Sequence, residues 1–179
     1  GYQATKYLID NGHKDILILC GPSYISSARE RLAGYKRAFM EARLKIKPKL
    51  IREIPITSGG CTGVFANFLQ EKIRFSAIVG FSDMIIWDVW TCLQNRGYHI
   101  PRDFSLVGFD NIQSRLAIPF QLSTISTYKA KLSSTAVDCL YCLIHGEQHK
   151  HSDCHCCCHH VIDTQLISGE TVKKLKSHG

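Results

Sequence analysis

Apolar positions along the chain fall into two alternating rhythms. Ile16-Leu17-Ile18-Leu19-Cys20, Ser76-Ala77-Ile78-Val79-Gly80-Phe81 and Phe104-Ser105-Leu106-Val107-Gly108-Phe109 are short, almost unbroken apolar runs. Runs of this length predict strands buried on both faces of a parallel sheet. Residues 50–56 and 160–167 read as two further strands. Between these runs the apolar positions return at helical spacing, over residues 1–11, 27–42, 58–71, 83–95 and 128–145. Gly12 and Gly97 stand where two of these helices should stop. Ser82 stands where the fourth should be capped, and Ser27-Ala28-Arg29-Glu30 has the spacing of a capping box. Strands separated by helices of 10 to 15 residues imply crossover units, so an α/β fold: a three-layer sandwich with a mostly parallel sheet.

Composition narrows the class. Of 179 residues, 45% are hydrophobic and 21% charged, the balance of a globular chain. No apolar run approaches the roughly 20 residues that cross a bilayer. The first residues carry no initiator Met and no basic stretch followed by an apolar one, so no secretion signal is visible. Lys plus Arg is 22 and Asp plus Glu is 15, a net charge of +7. The excess is concentrated. Nine basic residues lie between Arg29 and Arg52 against only Glu30 and Glu41. This window is either an anion-binding patch or the solvated face of a helix and the loop after it. No stacking aromatics alternate with the basic residues, which favours the solvated face. Five of the nine Cys (Cys20, Cys61, Cys92, Cys139 and Cys142) sit singly in apolar surroundings. They read as small buried hydrophobes in a reducing, cytoplasmic setting.

Right-handed crossovers gather the C-terminal ends of the strands on one edge, where open α/β sheets bind ligands. That edge should collect Ser26-Ser27, Arg29 to Arg31, Ser82-Asp83 and Asp110-Asn111. An ionised Asp110 only accepts hydrogen bonds, which suits a ligand with several hydroxyls, and its alternative role is capping a loop. Arg31 offers a planar fork of donors, or is a solvated helix residue. Helix capping accounts for Ser82 and Asp83 at least as well as ligand contact does. No nucleophile elbow, phosphate loop or HExxH motif is present, and Gly59-Gly60 is not a dinucleotide fingerprint. An enzyme is disfavoured, and no cofactor is implied.

Taken together, Gly21-Pro22, Ser27-Ala28-Arg29-Glu30-Arg31-Leu32-Ala33-Gly34-Tyr35, Ala77 to Asp83, Ile100-Pro101 through Asp110-Asn111, Pro119 and Leu122-Ser123-Thr124-Ile125 resemble successive landmarks of the LacI/GalR transcriptional regulators. In that family a helix-turn-helix headpiece precedes a two-lobed effector-binding core like that of type I periplasmic sugar-binding proteins. The resemblance implies that residues 1–13 are the last helix of the first lobe and 14–124 the second lobe. Residues 125–147 would be the return helix of the first lobe, 148–160 a Cys/His-rich loop, and 161–179 a final strand with a polar, basic tail. It implies an effector site of Ser27, Arg31, Ser82, Asp83 and Asp110. At Ser82 the family usually has Asn, so one short hydroxyl replaces an amide. The effector implied is a sugar or sugar derivative. Operator DNA would be bound by a headpiece outside this chain.

The helix after Ser82-Asp83 often supports dimerisation in that family. Here it carries Met84, Ile85, Trp87 and Trp90 as interface candidates, and is apolar on nearly every face. A twofold partner or an unusually deep core would account for that. Cys154-His155-Cys156-Cys157-Cys158-His159-His160 departs from the family. Its ligand types suit zinc or copper(I). Adjacent residues of an extended chain point to opposite faces, however, so few could share one ion, and no metal site is assigned. Two rival functions remain: a sugar-binding protein of a transport system on the same fold, and an enzyme on a doubly wound sheet.

Overall fold

The computed structural model describes residues 1–55, 60–114, 120–145 and 160–175. In chain order its elements are α1 (Tyr2–Asp10), β1 (Ile16–Cys20), α2 (Ser26–Glu41), β2 (Ile51–Glu53), α3 (Gly60–Gln70), β3 (Ala77–Gly80), α4 (Asp83–Gln94), β4 (Ser105–Phe109), β5 (Ser123–Ser126), α5 (Lys129–His145) and β6 (Gln165–Ile167). Single 3-10 turns occupy Pro48–Leu50 and Ile112–Ser114. The chain divides into two compact units, residues 1–125 with 166–179, and residues 126–165. The Cys/His-rich cluster, apart from His160, and Pro119 lie outside the described residues.

The strands are ordered β2-β1-β3-β4-β5-β6, and β1 pairs parallel with both β2 and β3. β3 with β4 and β4 with β5 are parallel as well. The order reverses between β1 and β3, where connections leave for opposite edges of the sheet. That crevice is the usual ligand position in a doubly wound sheet. Successive β1 residues serve opposite layers. Leu17 and Leu19 join a core with Phe65, Phe68, Ile86, Val89 and Leu106 under α3 and α4. Ile16, Ile18 and Cys20 join Ala4, Leu8, Tyr35, Phe39 and Val107 under α1 and α2. All five β1 positions are buried, as the unbroken apolar run requires.

Local chemistry sets the helix limits. Gly12, at φ +90°, and Gly97, at φ +79°, take the left-handed turns that follow α1 and α4. The Ser82 hydroxyl accepts the Ile85 amide at 3.4 Å and so caps α4, as its position predicts. Gly34 lets α2 cross α1, since a Cβ there would lie 2.5 Å from the Tyr2 backbone nitrogen.

The structure differs from the sequence reading at one cap and adds three features to it. The capping box at Ser27 is not formed: α2 begins at Ser26, its cap position is Ile25, and no side chain bonds there. Residues 1–13 do not stand apart from β1 and α2. Ala4 and Leu8 are fully buried in the core that Ile16 and Ile18 share, and α1 lies in the first unit. β5 leaves no strand signal in the apolar pattern, because Ser123-Thr124-Ile125-Ser126 is rich in hydroxyls. Nor is the tail merely polar. The Thr171 hydroxyl, buried, donates to the Leu106 carbonyl at 2.7 Å and accepts the Ser123 amide at 2.9 Å. The Leu106 amide in turn donates to the Thr171 carbonyl at 2.8 Å, so the tail supplies β4 with ladder partners ahead of β5.

In the second unit, α5 leaves Val137, Leu143 and Ile144 each about two-thirds exposed. The expected cysteine burial holds for Cys20, Cys61, Cys92 and Cys142, while Cys139 is half-buried. Burial pushes the Cys61 thiol up to about 12, so it is an inert neutral group at neutral pH. Among the described residues no helix is long and apolar enough to cross a membrane.

Candidate functional site

The C-terminal ends of β1, β3 and β4 meet the start of α2 on one edge of the sheet. Arg31, one turn into α2, lies half-buried among them. Its guanidinium carbon is 3.7 Å from the Phe109 ring centre and 4.5 Å from that of Phe81. The same group donates from Nη1 to the Phe81 carbonyl. Two aromatic faces and one carbonyl therefore fix both the plane and the direction of the fork. Burial lowers the pKa of Arg31 and the nearby Asp110 carboxylate raises it. The group remains a cation throughout the physiological range.

Asp110 follows β4 directly, half-buried, at φ +101°, with Asn111 at φ +48°. Asp and Asn tolerate the left-handed region better than most residues. The Asp110 amide is tied to the Ile125 carbonyl at 2.9 Å, and the Asn111 amide to the Thr124 hydroxyl at 3.3 Å. A carboxylate acceptor and a rigid guanidinium donor thus share one edge. Together they can recognise a ligand that both gives and takes hydrogen bonds, as a polyhydroxylated ring does.

The other expected site residues divide. Ser27 is half-exposed in the first turn of α2. Ser82 is half-buried and occupied in capping α4. Asp83 is 1% exposed and turned inward. Its carboxylate accepts the Thr124 hydroxyl at 2.6 Å and the Ile112 amide at 2.8 Å. Burial, with a smaller push from Asp110, raises its pKa to about 6, and these hydrogen bonds pull the other way. A carboxylate so enclosed has no surface to offer a ligand.

Spacing alone does not reveal Phe81 and Phe109 as site residues. Each ends an apolar run and looks like core. Their signal is position: an aromatic at the end of a strand or just past it, directly before a polar pair, on the edge where α2 presents Arg31.

Of the interface candidates, Ile85 is corrected. It is 4% exposed and belongs to the core under α4. Met84 is 50% exposed. Trp87 and Trp90 are half-buried, with ring centres 5.3 Å apart; Trp87 stacks on Phe120 at 5.9 Å and Trp90 packs tilted against it at 4.9 Å. Much of the apolar character of α4 is therefore spent on its own core. The basic window is largely solvated. Arg37 pairs with Glu41, Lys47 with Asp15 and Arg52 with Glu71, while Lys36, Arg43, Lys45 and Lys49 are exposed. Among the described residues no group of three or more His, Cys, Asp or Glu could hold a metal ion.

Comparison with known proteins agrees with this architecture. Residues 5–171 match the model of the periplasmic binding protein-like domain. The HTH-type transcriptional repressor PurR of Glaesserella parasuis is 35% identical over 150 residues, 83% of this chain and 44% of the relative. The ribose operon repressor of Haemophilus influenzae is 38% identical over 141 residues, 78% of this chain and 42% of the relative. The chain thus spans less than half the length of these two repressors. A sugar-binding transcriptional regulator of the LacI family from Escherichia coli, solved in complex with phosphate, superposes with a TM-score of 0.84. That match is 24% identical and covers 97% of this chain and 60% of the regulator. On its fold and these matches, the chain belongs to the periplasmic binding protein-like domain family.

Proposed function

We propose that this chain is the effector-binding and dimer-forming portion of a LacI-type transcriptional regulator. The effector is a sugar or sugar derivative seated on the C-terminal strand ends. One observation carries the reading. Arg31 packs over the rings of both Phe81 and Phe109 near Asp110, at the point where the sheet order reverses. A guanidinium held by two rings and a carbonyl loses little freedom on binding, so its remaining N–H groups are preorganised for a ligand oxygen. Asp110 supplies the complementary acceptor. Ser27 and Ser82 contribute hydroxyls at the rim.

In the full-length protein, ligand binding would draw a second lobe onto this edge and change operator affinity through a headpiece. Two sites would then be coupled by a hinge motion. The exposed apolar positions of α5 support its role as the return helix of that other lobe. Met84, exposed, and the half-buried Trp87 and Trp90 beside it offer an apolar strip for a twofold partner. Such a regulator works in the cytoplasm, and it is not an enzyme.

The test is a thermal-shift screen of the full-length protein against a panel of pentoses, hexoses and disaccharides, cellobiose and ribose among them. It is repeated with Asp110→Ala and Arg31→Ala. A sugar that stabilises the wild type and loses at least tenfold in affinity with both variants supports the reading. Wild-type affinity in both variants rejects the pocket.

A further inference from the structure

Asp83 opens α4, yet both of its carboxylate oxygens serve other parts of the chain. Oδ1 accepts the Thr124 hydroxyl from β5, and Oδ2 accepts the Ile112 amide from the turn after β4. Capping does not require this, because Ser82 already caps the helix. Among the described residues no Lys, Arg or His is paired with it. Asp110 is the charged group that bears on it, and its other neighbours, Gly108, Leu122, Thr124 and Ile112, are uncharged.

The Thr124 hydroxyl, having given its proton to Asp83, presents a lone pair to the Asn111 amide at 3.3 Å. Three successive amides are held in this way: Asp110 by the Ile125 carbonyl, Asn111 by Thr124, and Ile112 by Asp83. They span the stretch where Asp110 and Asn111 both take left-handed backbone, a conformation that persists only when its surroundings enforce it. Gly108 completes the arrangement, since a Cβ there would come within 2.1 Å of Asp83 Oδ1. The carboxylate fits only against a bare backbone.

We propose that Asp83 is a positioning residue of the effector pocket: through Thr124 and the Ile112 amide, its carboxylate fixes the backbone that aims Asp110, and it does not itself touch the ligand. The aiming role rests on Asp110 as the acceptor of effector hydroxyls. The hold on the loop can be tested without any effector. With burial raising its pKa to about 6, Asp83 gains a proton as the pH falls through that value. A neutral acid keeps one good acceptor oxygen where two are needed, so the loop loosens.

The experiment uses the full-length protein labelled with nitrogen-15, as wild type, Asp83→Asn and Thr124→Val. From pH 8 to pH 5 the Asn111 and Ile112 amides of the wild type should shift with a shared midpoint near 6. In Asp83→Asn that titration should vanish and both amides should exchange with solvent at least tenfold faster, while residues 16–20 stay protected. Thr124→Val should loosen Asn111 and leave the Ile112 titration in place. Wild-type exchange and titration in Asp83→Asn overturns the proposal, whatever any sugar does.

The second arm uses the panel sugar that most stabilises the wild type. Asp83→Asn should weaken its binding at least tenfold, and adding Asp83→Asn to Asp110→Ala should weaken it no further. If Asp110→Ala weakens binding and Asp83→Asn does not, or if the two losses multiply, the aiming role fails while the pocket stands. If Asp110→Ala binds normally, the pocket itself fails, and the aiming role with it.

Discussion

Thr171 joins the tail to the sheet through one hydroxyl, and replacing it by valine isolates that hydroxyl. Valine has nearly the same shape, so no cavity opens. The hydroxyl makes two buried hydrogen bonds, to the Leu106 carbonyl and from the Ser123 amide. Each such bond contributes about 1 kcal/mol net. The Ser123 amide, inside a fully buried strand position, would lose its partner, and a buried orphan donor costs about 1–3 kcal/mol. The sum is about 3 kcal/mol. For a chain of this size, about 3 °C of melting temperature accompanies each kcal/mol, so Thr171→Val should melt about 9 °C lower. Thr171→Ser keeps both bonds and loses one buried methyl, a cost of about 1 kcal/mol. Thermal unfolding followed by circular dichroism compares the three proteins. A Thr171→Val protein as stable as the wild type, or a serine variant less stable than the valine one, refutes this role for the tail.

The same geometry fixes three further outcomes. The carboxyl of Asp83 is raised from 3.8 to about 6, so the folded state holds its proton more tightly than the unfolded chain does. That favours folding at low pH and is lost as the pH rises through 6; a rise of this size amounts to about 3 kcal/mol. Urea titrations at pH 5 and pH 8 should therefore show the stability of Asp83→Asn improving relative to wild type at the higher pH; no change in the difference contradicts the buried charge. Arg31→Lys replaces a planar fork, packed over the rings of Phe81 and Phe109, by a point charge. It should cost about 1–2 kcal/mol of stability and at least tenfold in sugar affinity, read by melting and by calorimetric titration. Replacing Met84 and Trp90 together by Asp should shift the full-length protein toward monomer in sedimentation velocity; an unchanged mass places the dimer contact elsewhere.

Much of the fold is legible in the sequence because burial on both faces leaves a simple mark. β1, β3 and β4 each appear as an unbroken apolar run, and the turns at Gly12 and Gly97 require residues that accept positive φ. What escapes is polar and interior. β5 pairs with β4 through Ser123, Thr124 and Ile125, and its polar residues look like loop chemistry until their partners are seen: Thr171 for the Ser123 amide, and Asp83 and the Asn111 amide for the Thr124 hydroxyl. Partners such as Thr171 and Asp83, 48 and 41 residues away, leave no local spacing to read. The same limit governs the pocket. Asp110 stands out as a charged group at a strand end and Arg31 as one in the first turns of α2. Asp83 resembles them in sequence, and only its burial sets it apart from them. The α4 helix shows a related ambiguity: an apolar face signals a partner of some kind, and the structure assigns Ile85 to the core and leaves Met84 exposed.

The central claim is that a sugar binds at Arg31 and Asp110. A crystal structure of the full-length protein with the most stabilising panel sugar tests it most directly. The account predicts sugar hydroxyls within hydrogen-bond distance, roughly 2.6–3.2 Å, of the Asp110 carboxylate and the free edge of the Arg31 guanidinium, with Asp83 still enclosed by Thr124 and Ile112. A sugar seated away from the ends of β1, β3 and β4, with Arg31 and Asp110 untouched, would contradict it.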